Sequence, residues 1–212
     1  NFLGEENTIP VTVDELIPLA RAVVRGSQRA MVVADLPFGS YEASPELALA
    51  TSVRFFKESG VMAVKLEGAH IETVKKLVSS GIPVMGHLGL TPQSMHQLGG
   101  YRVQGRTDGD VILEAAKELQ AAGAFSIVLE LVPAELAARI TAVLSIPVIG
   151  IGAGVNCDAQ VLVWTDLMGI TKKAPKLAKA YRNLRVEMLA ATKEWSDDVI
   201  GGVFPGPEQT FN

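Results

Sequence analysis

One pattern recurs along this chain and narrows what it can fold into: a short apolar run that ends in a polar residue or in glycines. Val32-Val33-Ala34 ends in Asp35, and Ala63-Val64 runs into Lys65-Leu66-Glu67. Val84-Met85-Gly86 ends in His87, Ile127-Val128-Leu129 in Glu130, and Val148-Ile149 in Gly150-Ile151-Gly152. Side chains alternate across a strand, so Lys65 and Glu67 point to the same side. A charge carried out of an apolar run costs several kcal/mol unless it is paired or holds a ligand. Runs that are apolar throughout and alternate with helices imply a parallel sheet covered on both faces. Ligands bind such sheets at the C-terminal ends of the strands, where these polar groups lie. They are spread over almost every strand end rather than gathered at one switch point, which favours a barrel over a doubly wound sheet.

Between the runs the punctuation is helical. Thr12 with Glu15 fits a capping box for a helix to about Val24, which Pro18 is expected to kink or delay. Ser44-Pro45-Glu46 caps a second helix that stops near Gly60. Strands are expected at 30–38, 61–67, 83–89, 126–132 and 147–151, with helices at about 70–80, 109–122 and 133–144 between them. Residues 158–170 are expected to hold a short helical piece and a sixth apolar segment ending near Gly169. A long helix follows at about 175–194, and the tail from Gly201 to Asn212 has no clear period. The stretch 90–107 breaks the rhythm. It is rich in Gly, Gln and Ser, too polar for core and too long for an idle connector, so it reads as a functional loop or lid.

With 212 residues, 48% of them hydrophobic, the chain suits one large domain over 1–212 with a sizeable core. Six strands against the eight of a standard barrel imply either an incomplete barrel or two strands ahead of Asn1. A chain that opens on Asn1 rather than Met is expected to start upstream. A net charge of −4 without a basic, aromatic-interleaved run argues against a nucleic-acid partner. No apolar run reaches the length of a membrane span, about 20 residues. A lone cysteine, Cys157, permits no internal disulfide and points to a reducing, cytoplasmic compartment.

Three acids at strand ends, Asp35, Glu67 and Glu130, repel one another in a shared pocket unless a cation sits among them. Oxygen ligands without thiolates suit Mg²⁺, which needs only one or two protein carboxylates. One acid is then left over as a base, and Lys65 counters an anionic substrate. His87, in Gly86-His87-Leu88-Gly89, is either a satisfied core histidine or a substrate-binding group. Gly150-Ile151-Gly152-Ala153-Gly154 could approach a phosphate closely but lacks the full dinucleotide spacing.

Six ordered segments carry a resemblance. They are Ala34-Asp35-Leu36-Pro37-Phe38, Val64-Lys65-Leu66-Glu67-Gly68, the run from Gly86 to Ser94, Gly100 to Arg106, Leu129-Glu130-Leu131-Val132-Pro133, and Ile149 to Gly154. Together, from about Thr8 to Gly206, they resemble the ketopantoate hydroxymethyltransferase family. The resemblance implies a (β/α)8 barrel, Mg²⁺, α-ketoisovalerate as substrate, and 5,10-methylenetetrahydrofolate as one-carbon donor. It places Asp35 as a metal ligand that also meets substrate, Glu67 near the metal, Lys65 on the substrate and Glu130 as catalytic base. It also implies a homo-oligomer, typically a decamer of two stacked rings. The family has two further strands at its N-terminus, the second ending in a Gly-Asp-Ser motif with a metal-binding aspartate and a substrate-binding serine. That motif has no counterpart from Asn1 onward. Ala159 stands where the family usually has glycine, and Thr171-Lys172-Lys173 matches it loosely. Two other readings use the same features: a Mg²⁺-dependent ketoacid C–C lyase, which needs no folate, and a barrel that serves only as a scaffold subunit.

Overall fold

A computed structural model describes residues 3–211. Where the sequence suggests one domain over 1–212, the chain divides after Val161 into two compact units. The first carries the sheet and all the strand-end groups.

That sheet has six parallel strands in the order of the sequence. They are β1 (Val33–Asp35), β2 (Ala63–Lys65), β3 (Val84–Gly89), β4 (Ser126–Glu130), β5 (Val148–Ile151) and β6 (Ala159–Gln160). Between them run α1 (Val13–Gly26) ahead of β1, α2 (Pro45–Ser59), α3 (Ile71–Ser79), α4 (Met95–Leu98), α5 (Gly109–Ala121) and α6 (Ala134–Val143). The paired strands are shorter than the apolar runs, because the flanks pass into turns. The expected sixth apolar segment is corrected: β6 is two exposed residues paired with Ile149 and Gly150, and Val161-Leu162-Val163 lies beyond it.

The local signals act as their chemistry requires. Thr12 accepts from the Glu15 N–H while Glu15 reaches back to Thr12, closing the capping box. The helix starts at Val13 and continues through Pro18, so the proline does not delay it. Ser44 caps α2 and Gly60 ends it in the left-handed conformation, φ 80°. One side of the sheet packs against the helices through Val64, Leu66, Val84, Ile127 and Leu129, all fully buried. Each contributes about 1.5–3 kcal/mol by leaving water. Gly86 lets α5 approach closely, since a Cβ there would lie 3.0 Å from Leu119 Cδ1.

The stretch 90–107 is not all loop. It folds into a 3₁₀ turn at Pro92–Ser94 and the single turn of α4, ended by Gly99.

In the second unit, α7 (Trp164–Leu167) and α8 (Leu184–Ile200) are joined by turns. The long helix is thus displaced from the expected 175–194. The backbone of Tyr181 bonds to Leu167 and that of Leu184 to Met168, which holds 181–184 beside α7 and delays the helix. The tail holds a 3₁₀ turn at Pro207–Gln209. Among the described residues no helix is long and apolar enough to cross a membrane.

Candidate functional site

The sheet register gathers the strand-end side chains. Asp35 is paired with Lys65, and Lys65 with Met85. His87 lies two residues beyond Met85 and opposite Val128, and Glu130 lies two beyond Val128. Paired residues of neighbouring strands share a face, and so do residues two apart. Asp35, Lys65, Glu67, His87 and Glu130 therefore all lie on one face, opposite the helix-facing Val64, Leu66 and Ile127.

They are in contact. Lys65 Nζ is 2.7 Å from Asp35 Oδ1, 3.2 Å from His87 Nδ1 and 3.9 Å from Glu67 Oε1. His87 Nδ1 is 3.8 Å from Glu67 Oε1, and its Nε2 is 3.4 Å from Glu130 Oε2. An ammonium only donates, so Nδ1 accepts and the ring proton sits on Nε2, facing Glu130. Burial first, and then the Lys65 charge, push the His87 pKa down, so the ring is neutral. It is 3% exposed, and at 3.4 Å from Glu130 Oε2 its Nε2 is the one buried side-chain polar atom among the described residues that completes no hydrogen bond.

Glu67 is 5% exposed. Burial pushes its pKa up to about 7, against the pull of Lys65 and of the Gln93 N–H, which donates to Oε2 at 2.9 Å. A carboxyl so placed gains from any added positive charge. Among the described residues no three His, Cys, Asp or Glu side chains form a ready-made metal cage. Asp35 and Glu67 nevertheless suit Mg²⁺: both offer hard oxygens, a cationic group already lies between them, and Mg²⁺ keeps most of its own waters.

The end of β4 is held tightly. Leu131, φ +46°, is the one non-glycine with positive φ among the described residues. Such a conformation costs of order 1–3 kcal/mol and concentrates at functional sites. Its N–H donates to Ile151 O at 2.9 Å, and its carbonyl accepts from Gln104 N–H at 2.9 Å. Gly89 presses against the same turn, where a Cβ would lie 2.3 Å from the Glu130 carbonyl oxygen. The stretch 90–107 is thus pinned at Gln93 and at Gln104, beside two of the three acids. Between the pins Tyr101 is exposed, and partial desolvation raises its hydroxyl pKa, helped by the charges of Glu130 and Glu67.

A model of ketopantoate hydroxymethyltransferase matches residues 1–207. The chain belongs to the ketopantoate hydroxymethyltransferase family. It is 58% identical over 215 residues to the 3-methyl-2-oxobutanoate hydroxymethyltransferase of Saccharopolyspora erythraea, covering all of this chain and 73% of that protein. The enzyme of the same name from Frankia alni is 58% identical over 212 residues, covering 98% of this chain and 70% of that one. Among solved structures, the fold is like that of 2,3-dimethylmalate lyase, a PEP mutase/isocitrate lyase superfamily member. The TM-score is 0.54 at 14% identity, over 97% of this chain and 73% of that one. Oxaloacetate acetylhydrolase gives 0.54 at 14%, over 100% and 74%. At that identity the likeness speaks for the fold alone.

As a member of this family, the chain brings together every residue singled out at its strand ends. His87 packs as a buried hub between Lys65 and Glu130. Gly150 and Gly154 are closely packed: a Cβ at Gly150 would lie 2.9 Å from Cys157 Sγ, and one at Gly154 would lie 2.5 Å from Ala134 Cβ. Reading the sequence residue by residue gave no role to Tyr41, Gln93 or Tyr101. The only sequence signal for the last two is that they fall within the family-like segments after β3.

Proposed function

We propose that this chain is a hydroxymethyltransferase that moves a one-carbon unit from 5,10-methylenetetrahydrofolate to α-ketoisovalerate (3-methyl-2-oxobutanoate). The product is ketopantoate, for pantothenate and coenzyme A biosynthesis. The observation that carries this reading is the convergence of Glu130, His87, Lys65, Glu67 and Asp35 on one face at the strand ends. The name borne by relatives at 58% identity supports it.

Asp35 and Glu67 would hold Mg²⁺, and Asp35 would also meet the substrate. Bound there, Mg²⁺ supplies Lewis-acid polarisation of the ketoacid carbonyl. Lys65 faces the anionic end of the substrate. Glu130 takes the proton from C3, the carbon beside the carbonyl; His87 Nε2–H beside Oε2 leaves Oε1 for that task. The folate-borne carbon exchanges its two C–N bonds for one bond to C3 and one to a water oxygen, and the two freed nitrogens take up the proton removed from C3 and one proton of that water. A positioned base contributes about 10²–10⁴-fold, so polarisation of the carbonyl is also needed to reach the 10⁶ or more typical of enzymes. The reading includes a (β/α)8 barrel formed around this sheet, a homo-oligomer of ten chains, and a cytoplasmic setting.

The test supplies α-ketoisovalerate and Mg²⁺ with and without 5,10-methylenetetrahydrofolate and follows ketopantoate by mass spectrometry. Product that appears only with the folate is expected. Folate-independent C–C cleavage of a ketoacid would instead mark a lyase, and absence of all turnover would mark a scaffold.

A further inference from the structure

Three strand-end segments meet at one buried amide. Gln93, 7% exposed, lies in the 3₁₀ turn after β3. Its Nε2 donates to the Leu36 carbonyl at 2.8 Å, and its Oε1 accepts from the Tyr41 hydroxyl at 2.6 Å. Its backbone N–H donates to Glu67 Oε2 at 2.9 Å. Tyr41, 1% exposed, accepts in turn from the Glu67 backbone N–H at 3.2 Å. The Tyr41 hydroxyl has one proton, and the Glu67 carbonyl at 3.4 Å is the poorer acceptor for it. The proton therefore goes to Gln93. That fixes the amide with oxygen toward Tyr41 and nitrogen toward Leu36, and each of its polar atoms has a partner.

We propose that Gln93 is a positioning residue that sets the placement of Glu67 relative to Asp35. Leu36 follows Asp35 directly, so the side chain of Gln93 grips the end of β1 while its backbone grips the carboxylate beyond β2. Tyr41 closes the circuit on the backbone of Glu67. Among the described residues the Gln93 backbone N–H is the one hydrogen-bond donor to Glu67 Oε2, and Oε1 is turned toward Lys65 and His87. Groups that orient a metal-binding carboxylate typically change metal affinity 10–100-fold when removed. The metal consequence rests on the reading of Asp35 and Glu67 as a Mg²⁺-binding pair; the geometric one does not.

Gln93→Met keeps the volume and removes both side-chain hydrogen bonds, and Tyr41→Phe breaks the same circuit from the other side by losing one oxygen. In metal-free protein, amide exchange followed by NMR should quicken at Glu67 in both variants by about tenfold, as for a lost hydrogen bond, with Val128 in β4 unchanged. Calorimetry with Mg²⁺ and α-ketoisovalerate should show affinity down about 10–100-fold. The C3 proton exchange rate at saturation should stay near the wild-type value, because Glu130 is untouched. The double variant should be no weaker than Gln93→Met alone. Unchanged exchange at Glu67 in both variants overturns the inference. So does a saturating rate that falls in step with affinity and melting temperature, which would make Gln93 a fold residue only. A wild type that binds no Mg²⁺ sinks the metal-binding reading of Asp35 and Glu67, and the exchange at Glu67, which needs no metal, then decides the inference by itself.

Discussion

Glu67→Gln should make the metal-free protein more stable at pH 8, although it removes a proposed metal ligand. Burial raises the Glu67 pKa from 4.5 to about 7. In that interval the folded chain binds a proton that the unfolded chain does not. Stability is therefore fully present below pH 4.5 and is lost as pH rises through about 7. At about 1.4 kcal/mol per pH unit, the displacement amounts to roughly 3 kcal/mol at pH 8. Glutamine resembles the protonated carboxyl and can still accept from the Gln93 N–H. Its NH₂ would face the Lys65 ammonium, which offsets part of the gain, so a net increase of about 2 kcal/mol is expected. Urea unfolding in EDTA, wild type against variant at pH 5 and pH 8, isolates the effect, because groups that titrate alike in both chains cancel. The variant should match the wild type at pH 5 and exceed it at pH 8. A difference that does not change with pH, or a variant less stable at pH 8, would refute the reasoning.

Glu130→Gln should preserve the fold and Mg²⁺ binding while slowing C3 proton exchange of α-ketoisovalerate in heavy water by at least about 10²-fold; exchange at the wild-type rate would remove Glu130 as the base. Asp35→Ala should weaken Mg²⁺ binding, and with it ketoacid binding, in a calorimetric titration; an unchanged titration sinks its role as ligand. Gly89→Ala places a Cβ 2.3 Å from the Glu130 carbonyl oxygen at φ +91°. It should cost at least about 2 kcal/mol in thermal unfolding, and a melting temperature equal to the wild type would show that the turn after β4 can yield.

Much of this was legible because strand periodicity is local. Val32-Val33-Ala34-Asp35 and Ile127-Val128-Leu129-Glu130 announce both a buried strand and the charge at its end, and a parallel sheet does the rest by placing those ends side by side. Thr12, Ser44 and Gly60 mark helix ends through bonds to neighbours within four residues. What escaped is long-range. Gln93 meets Tyr41 across 52 residues and Leu36 across 57, and no local pattern encodes such a meeting. The displacement of α8 has the same origin. The helix expected from about 175 begins only at Leu184, because Tyr181 and Leu184 are engaged by Leu167 and Met168. A Cβ at Gly169 would lie 2.1 Å from the Arg182 carbonyl oxygen, so that glycine is what lets the two segments close together.

The sheet order has a consequence for how the chain acquires its fold. Each strand lies beside its predecessor in sequence, from β1 through β6. A new strand and its helix can therefore dock on what has already formed, one unit at a time, and every pairing spans only a single crossover. Loop-closure entropy is met in small instalments, which speeds folding for a parallel architecture. The bond from Gln93 to Leu36 obeys a different timetable. It needs β1, β2 and β3 in register together, so the circuit around Glu67 closes only after three rounds of growth. The chemistry-bearing end of the sheet is thus a late product of assembly, and a nascent chain halted before residue 93 has strands but no clasp on its central acid.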